Sequence, residues 1–383
     1  MTCIILGRRA ARMINLDHAA TTPVRAEVLE AMLPFFREYA GNPSGLYADG
    51  RAARQAIDNA RNAVAQAVGA RPQEVTFTSG GTESDNWALF GVTGAKGKRH
   101  VVTSSIEHHA VLNACRALEA HGVEVTFLPV DVQGRVNPQD VAGAIRPDTA
   151  LVSVMLANNE VGTLQPVREI CEIAHRYGIP VHTDAVQAAG HIPVDMNALG
   201  VDLLSLSAHK FGGPKGIGAL VVRKGICLEP LLFGGAQERG MRPGTENVPA
   251  IVGMGRALEM AASELPKSMD TVMRLRDELL EGIRAVVPGV RVNGSMEHRL
   301  PGNLHVSFPN AHTDALLMRL DLEGIAASAG SACAAGARER SHVLRAMGAA
   351  RDGEADLRLT LGMDNTRSDI ERTVDALRRI LAG

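Results

Sequence analysis

Short apolar runs alternate with amphipathic helical patterns through the first two thirds of the chain, and this alternation restricts the fold more than any other feature. His100–Ser104, Leu203–Ser207 and Gly218–Val222 are strand-like runs. Gly50–Val68 and Ala26–Tyr39 are helical patterns. Alternating strands and helices are typical of a mainly parallel sheet that helices cover on both faces. The sequence therefore predicts an α/β fold.

The pattern changes after about residue 262. A long charged helix, Ser263–Val287, leads into short strands and helices, and the chain closes with helix Ser368–Leu381. This mixture is typical of a smaller α+β domain. The predicted divisions are an N-terminal segment that packs with the small domain (13–26), a large domain (27–262) and a small C-terminal domain (263–383).

Composition excludes several classes of function. The 383 residues include 40 Lys and Arg against 42 Asp and Glu, a net charge of -2. This balance excludes a strongly basic nucleic-acid surface, and 3% aromatic residues argue against a base-stacking platform. No apolar run approaches the ~20 residues of a membrane helix, and the N-terminal charges follow the apolar stretch instead of preceding it. We therefore expect a cytoplasmic protein without nucleic-acid or membrane partners.

The spacing of the cysteines matches neither a disulfide framework nor a metal site. All five are scattered along the chain, and no pair is separated by two residues. Disulfide frameworks and zinc sites require even numbers or close pairs. The sequence therefore predicts no metal site.

A glycine-rich turn follows a strand-like run near residue 78. The segment from Thr78 to Ser84 has the sequence TSGGTES, and a helical pattern begins within it. Free N–H groups and the positive dipole end at a helix N-terminus suit a phosphate, and Thr82 adds a hydroxyl donor. A plain helix start with Thr82 as its cap explains the same residues, and for this motif alone that interpretation is the stronger one.

Two charged residues stand where predicted strands end. Asp184 closes strand Pro180–Asp184, and Lys210 follows strand Leu203–Ser207. Ligands of open α/β sheets bind at the carboxyl ends of strands. A carboxylate there can pair with a protonated pyridine nitrogen, and a lysine of lowered pKa can bond to a carbonyl carbon. Taken singly, Asp184 is equally well a helix cap, and Lys210 is better explained as a solvated surface charge.

The three features together are what pyridoxal 5'-phosphate requires. Its phosphate must be held, its ring nitrogen kept protonated and its aldehyde bound by an amine. Around these features the chain carries, in order, the motifs SGGTES, EHHAV, NNEVG, TDAVQ, SAHKFGGPKG and RPGTEN. Their order resembles that of the class V aminotransferase group of fold-type I pyridoxal-phosphate enzymes, from about Asn15 to Leu381.

Within that group the sequence resembles the cysteine desulfurases of the NifS/IscS type. The motifs that carry this likeness are LDHAATTP from Leu16, GNPS from Gly41 and SAGSAC, which ends at Cys333. The resemblance implies a large domain with a mainly parallel seven-stranded sheet under helices. It also implies a smaller α+β C-terminal domain that carries the loop of the nucleophile Cys333.

The resemblance also implies an activity. Sulfur would be removed from L-cysteine, giving L-alanine and a persulfide on Cys333. An acceptor protein of iron–sulfur cluster assembly, or of tRNA or cofactor thiolation, would then take the sulfur, and Cys333 could contact iron or a cluster during transfer. The alternatives are a selenocysteine lyase, another class V aminotransferase or lyase, and a non-enzymatic sulfur carrier.

Residue roles follow from the matched motifs. Lys210 would bind the aldehyde and move protons, with His108 stacking on the ring and assisting. Asp184 would pair with the ring nitrogen and Gln187 with the ring hydroxyl oxygen, beside Asn159. The remaining matches are Gly81, Thr82, Ser207 and His209 for the phosphate, Arg358 for the substrate carboxylate, and Asn42 and Asn159 as further substrate contacts. Thr245 matches a residue that the partner chain supplies, which implies a homodimer with shared active sites.

Overall fold

The computed structural model describes residues 13–330 and 340–381. The strands are β1 (Ile14–Asn15), β2 (Val75–Thr78), β3 (His100–Ser104), β4 (Glu124–Leu128), β5 (Thr149–Ser153), β6 (Val181–Asp184), β7 (Leu203–Ser207), β8 (Gly218–Val222), β9 (Arg291–Val292), β10 (Asn303–Pro309), β11 (Ile325–Ala326) and β12 (Glu354–Thr360). The helices are α1 (Ala26–Met32), α2 (Pro34–Arg37), α3 (Ala48–Ala67), α4 (Gly81–Lys96), α5 (His109–Ala120), α6 (Pro138–Ala144), α7 (Val167–Arg176), α8 (Met196–Leu199), α9 (Val248–Val286), α10 (Thr313–Leu322), α11 (His342–Ala346) and α12 (Arg367–Leu381).

A seven-stranded sheet forms the centre of the molecule, in the order β2-β8-β7-β6-β5-β3-β4. The neighbours from β7 to β4 run parallel, whereas β8 is antiparallel to both β2 and β7. Parallel strands need a crossover of a dozen or more residues, and the connection 208–217 between β7 and β8 is too short for one. The predicted α/β fold with a mainly parallel seven-stranded sheet is confirmed.

The long helix α9 begins well before the predicted Ser263, at Val248. Gly253 and Gly255 lie in its first half, and glycine is a poor helix former. A Cβ on Gly255 would lie 2.7 Å from the Cα of Ala60 in α3, and a Cβ on Gly253 would lie 2.7 Å from the sulfur of Met32 in α1. Close packing against two helices therefore stabilises a stretch whose own propensity is low.

A second, smaller part of the fold surrounds the sheet β12-β10-β9, and β1 pairs with β11 beside it. Helix α9 joins both parts. Met254 and Leu258 pack into the core of the large sheet, whereas Leu275 and Leu279 pack into the core that Ile14 shares with the small sheet. The boundary predicted at residue 262 falls inside this continuous helix, and the three-part division stays a prediction.

Two of the predicted site residues lie at strand ends of the large sheet. Asp184 ends β6 and Ser207 ends β7, and these strands are parallel neighbours, so both residues lie at one edge. No helix within residues 13–330 and 340–381 has the length and apolar character needed to cross a membrane.

Candidate active site

A cavity of about 260 Å³ opens at the carboxyl edge of the central strands. Its lining residues are Gly81, Thr82, Asp85, His108, Met155, Asn159, Asp184, Val186, Gln187, Ser207, His209 and Lys210. Every residue predicted to bind the cofactor is among them except Thr245. The tertiary structure thus brings together side chains from motifs that are far apart in sequence.

The corner predicted to bind the phosphate is built by the turn from β2 into α4. Helix α4 begins at Gly81, and a Cβ on that residue would lie 2.6 Å from Cγ2 of Val186 and 3.7 Å from the Cβ of Ser207. The first N–H groups of a helix have no partner within it, so they face this corner as free donors. His209 adds an imidazole, whose pKa burial and the charge of Lys210 lower to about 4, so it is neutral.

Lys210 lies in a short 3-10 turn directly after β7. Its Nζ donates to the carbonyl oxygens of Ala19, at 2.5 Å, and Ala20, at 2.9 Å. Burial and the positive charge of Arg358 lower the pKa of this amine to about 8. A substantial fraction of the amine is therefore neutral near physiological pH, which is the form that reacts with an aldehyde.

Asp184 supplies the negative charge of the cavity. Its Oδ1 accepts the N–H of Val186 at 2.8 Å, and burial raises the pKa of the carboxyl to about 6, partly offset by that N–H and by Lys210. The carboxyl is thus mostly ionised at neutral pH. A carboxylate in this position fits a protonated ring nitrogen.

A second carboxyl, Asp85, lines the same cavity and was not predicted from the sequence. It is 1% exposed, its Oδ1 has no hydrogen-bond partner among the described residues, and Nε2 of His182 lies 3.6 Å away. Burial and the charge of Asp184 raise the pKa of this carboxyl well above its usual range. Its position one turn after Thr82 in α4, at i+3, is the signal that would have found it.

His108 caps helix α5, and its Nδ1 accepts the N–H of Ala110 at 3.1 Å. Burial and the charge of Lys210 lower the pKa of His108 to about 4. A neutral imidazole that accepts at Nδ1 carries its proton on Nε2. The adjacent His109 is outside the cavity lining and packs on His342, with 4.9 Å between ring centroids. This contrast favours His108 as the ring-stacking histidine.

Arg358 lies in β12 beside the cavity wall and is 4% exposed. Its Nη1 donates to the carbonyl oxygen of Asn159 at 2.8 Å, and its Nη2 pairs with Oδ1 of Asp17 at 2.7 Å. The planar guanidinium is therefore held where a ligand carboxylate could replace Asp17. Sequence analysis missed Asp17 as the ion-pair partner, although it stands in the LDHAATTP motif.

Three buried polar atoms in this region have no partner within the described part of the chain. They are Oδ1 of Asp85, Oδ1 of Asn159 and Nε of Arg358. Buried polar atoms are nearly always hydrogen-bonded in native proteins, so their clustering indicates a polar ligand. With the phosphate corner, the Asp184 carboxylate and the Lys210 amine, the residues present fit pyridoxal 5'-phosphate.

Among the described residues, three predicted site residues do not line this cavity: Arg358, which lies beside it, Thr245 and Asn42. Thr245 is exposed and lines a different pocket, with Ser79 and Gly216. Asn42 is exposed on the loop before α3, where its Oδ1 accepts the N–H of Ser44 at 2.9 Å. Cys333 lies outside the described residues.

Comparison with known proteins agrees with this geometry. The aminotransferase class-V family pattern matches residues 14–373. The cysteine desulfurase IscS of Methanosarcina thermophila is 51% identical over 97% of this chain and 92% of its own length, and that of Dictyoglomus turgidum is 50% identical over 97% and 95%. A solved structure of a NifS-like protein has a TM-score of 0.91 and 40% identity, covering 97% of this chain and 99% of that one.

The chain therefore belongs to the class V aminotransferases, whose cofactor is pyridoxal 5'-phosphate. Within that family it is a member of the cysteine desulfurases of the NifS/IscS type. The predicted family and cofactor are both confirmed. The individual roles assigned to site residues stay predictions.

Proposed function

We propose that this pyridoxal-phosphate-dependent cysteine desulfurase takes the sulfur of L-cysteine onto Cys333 and releases L-alanine. The observation that carries the proposal is that one cavity is lined both by the Lys210 amine, whose pKa is lowered, and by the Asp184 carboxylate. The relatives named cysteine desulfurase support the choice of substrate.

In this proposal, the substrate is oriented by its carboxylate. Arg358 binds it with two N–H groups, taking the place of Asp17, whose ion pair holds the guanidinium ready. Asn159 lies next to this position, and its amide oxygen has no partner in the part of the chain that the structure describes. The α-carbon of the amino acid is thereby placed toward Lys210.

Proton transfer then falls to Lys210. When bound, pyridoxal phosphate supplies the electron sink that allows an amino acid to lose its α-proton. The neutral Lys210 amine takes that proton, and the carbonyl oxygens of Ala19 and Ala20 stabilise the resulting ammonium group. The Asp184 carboxylate holds the proton of the ring nitrogen throughout.

Sulfur transfer requires the thiolate of Cys333. Its sulfur forms a bond with the substrate sulfur while the bond between that sulfur and the substrate β-carbon breaks. The electron pair of the broken bond remains with the carbon skeleton, which is protonated and released as alanine. A thiol acceptor afterwards reduces the Cys333 persulfide and takes up the sulfur.

A product assay tests this function. The cofactor-loaded protein is incubated with L-cysteine and dithiothreitol, and in parallel with L-selenocysteine. We expect alanine and sulfide in equal amounts from L-cysteine. Alanine from selenocysteine alone would identify a selenocysteine lyase, and formation of an α-keto acid would identify an aminotransferase.

We also propose a homodimer in which Thr245 completes the phosphate site of the partner subunit. Thr245 follows the turn Gln237–Gly240, where Glu238 and Arg239 have φ values of +44° and +62°. Glu238 holds this turn through a buried ion pair with Arg61, at 2.7 Å. The ion pair stabilises a strained turn, although Thr245 beyond it does not line the Lys210 cavity of the same chain. Strained backbone that is held in this way is typical of a functional contact.

Exposed apolar side chains support the same proposal. Phe233 is 91% exposed and its neighbour Leu232 is 44% exposed, shortly before the Thr245 loop. Neighbouring large apolar side chains at a surface mark protein–protein contacts.

We place the enzyme in the cytoplasm and expect its sulfur acceptor to be a protein of iron–sulfur cluster assembly or of thiolation.

Mixing two inactive variants tests the shared site. In a mixed dimer of Lys210→Ala and Thr245→Ala subunits, one site has lost both residues and the other is intact if Thr245 acts across the interface. Random mixing should therefore restore about one quarter of the wild-type rate of alanine release. If Thr245 acts within its own chain, the mixture will be no more active than the average of the two variants.

A further inference from the structure

Glu160 is a buried carboxyl that the mechanism above does not use. It follows Asn159 in the turn after β5 and is 1% exposed. Its Oε2 accepts the hydroxyl proton of Ser341, and Nδ1 of His342 lies 3.9 Å from its Oε1. These partners are at the start of α11, some 180 residues further along the chain.

The same side chain lies beside Gly330. A Cβ placed on Gly330 would lie 3.3 Å from Cβ and 3.4 Å from Cγ of Glu160. Gly330 has a φ of +92° and donates its N–H to the hydroxyl of Ser328 at 3.1 Å. Gly330 precedes, and Ser341 closely follows, the segment 331–339 that contains Cys333, so one side chain binds a residue after that segment and lies beside the residue before it.

These anchors connect directly to the cavity wall. Glu160 is bonded in sequence to Asn159, which lines the cavity. Nε2 of His342 lies 3.0 Å from the carbonyl oxygen of Glu107, the residue before His108. The two ends of the segment are therefore fixed to the backbone that carries the cofactor-facing side chains.

Several charged or titratable groups face the Glu160 carboxyl. The His342 imidazole lies 3.9 Å from the Glu160 carboxyl. The positive charge of Arg358 favours the ionised form of Glu160, and the Asp356 carboxyl disfavours it. His305, whose Nε2 has no partner in the described chain, lies behind Gly330. Burial dominates and raises the pKa of Glu160 to about 7, although the Ser341 hydroxyl lowers it.

We propose that Glu160 is a positioning residue: by binding Ser341 and lying beside Gly330 it anchors the residues on both sides of the segment that contains Cys333. This inference rests on the proposed function, in which Cys333 receives the sulfur. A hydrogen bond to an ionised carboxylate is about twice as strong as one to a neutral acid. Protonation of Glu160 should therefore weaken the anchor without breaking any contact of the cofactor.

The test compares Glu160→Gln, Ser341→Ala and the double variant with the wild-type holoenzyme. Hydrogen exchange of the α11 amides reports the anchor, and alkylation of the Cys333 peptide, followed by mass spectrometry, reports presentation of the thiol. Asp352→Asn is the matched control, because Asp352 pairs with Arg340 beside the same anchor but is fully exposed. The cofactor absorption spectrum checks that the cavity is unchanged.

Above pH 7, either single variant should exchange the α11 amides about tenfold faster than the wild type. The double variant should add little, because both changes remove one contact. As the pH falls through about 7, protonation of Glu160 should weaken the anchor, so the wild-type α11 amides should become less protected from exchange and the alkylation of Cys333 should change with them. Glu160→Gln, which mimics the neutral acid, should not show this step. Asp352→Asn should behave as the wild type.

Two results would overturn the inference. Equal exchange and alkylation in wild type and both single variants above pH 7 would show that no anchor exists. A shifted cofactor spectrum in Glu160→Gln would place the effect at Asn159 instead. If Cys333→Ser kept full activity, the proposed function would fail, while the exchange data would still decide whether Glu160 and Ser341 anchor the segment.

Discussion

Replacing Lys210 with alanine should lower the rate of alanine release from L-cysteine by about 10⁴-fold or more. The variant loses the only amine that lines the cavity within the described chain, and with it both the group that bonds to the aldehyde and the base that takes the α-proton. The phosphate corner and Asp184 are unchanged, so the cofactor should still bind. Alanine release and the absorption spectrum measure the two effects separately.

The control is Lys215→Ala. Lys215 stands on the same loop, is exposed and lies outside the cavity lining, so its removal should leave the rate unchanged. Retention of more than a hundredth of the activity in Lys210→Ala would contradict the assignment. Equal losses in both variants would indicate damage to the loop instead of lost chemistry.

The same amine predicts a pH dependence for cofactor loading. With a pKa of about 8, about one tenth of the amine is neutral at pH 7, against about one part in 2,500 for an ordinary lysine. The protonated amine cannot attack the aldehyde, so the rate at which the cofactor-free protein bonds to pyridoxal phosphate should rise with pH and level off above about 8. Lys210→Ala should show no such rise.

Cys333→Ser should lower sulfide release from L-cysteine by about 10³-fold or more while leaving the cofactor spectrum unchanged. A serine hydroxyl is not ionised at neutral pH and cannot form a persulfide, whereas a free cysteine with a pKa of ~8.5 is a few per cent thiolate. Steps before sulfur transfer should still occur, so addition of L-cysteine should still change the spectrum. Sulfide and alanine assays with dithiothreitol give the rate.

The matched control is Cys227→Ser, because Cys227 is a free and exposed cysteine. Its removal should not change turnover. Full activity of Cys333→Ser with selenocysteine but not with cysteine would still agree with a thiol-dependent desulfurase, since selenium leaves without a protein thiol. Full activity with L-cysteine would remove Cys333 from the mechanism.

The sequence by itself determined the class of fold and the cofactor. Each cofactor motif is local: a strand followed by a glycine-rich turn at Gly81, or a strand that ends in Asp184. Such motifs can be recognised because the turn, the helix start and the chemistry lie within a few residues. Parallel pairing of neighbouring strands then brings them to one edge, as the βα alternation predicts.

Helix α9 shows where local reasoning fails. Its start is stabilised by the contacts of Gly253 and Gly255 with α1 and α3, and those contacts are invisible in the segment itself. The site has the same property. Arg358 pairs with Asp17, 341 positions away, and Glu160 binds Ser341, 181 positions away.

Only the tertiary structure decided the charge states of the cavity. Asp85 and Asp184 have the same side chain, yet burial and the charge of Asp184 raise the pKa of Asp85 well above its usual range, whereas the Val186 N–H and Lys210 limit the rise for Asp184 to a pKa of about 6. Desolvation and Coulomb energies depend on groups that distant segments bring within a few ångströms. The sequence supplies the titratable groups, and the packing around them fixes which ones carry charge.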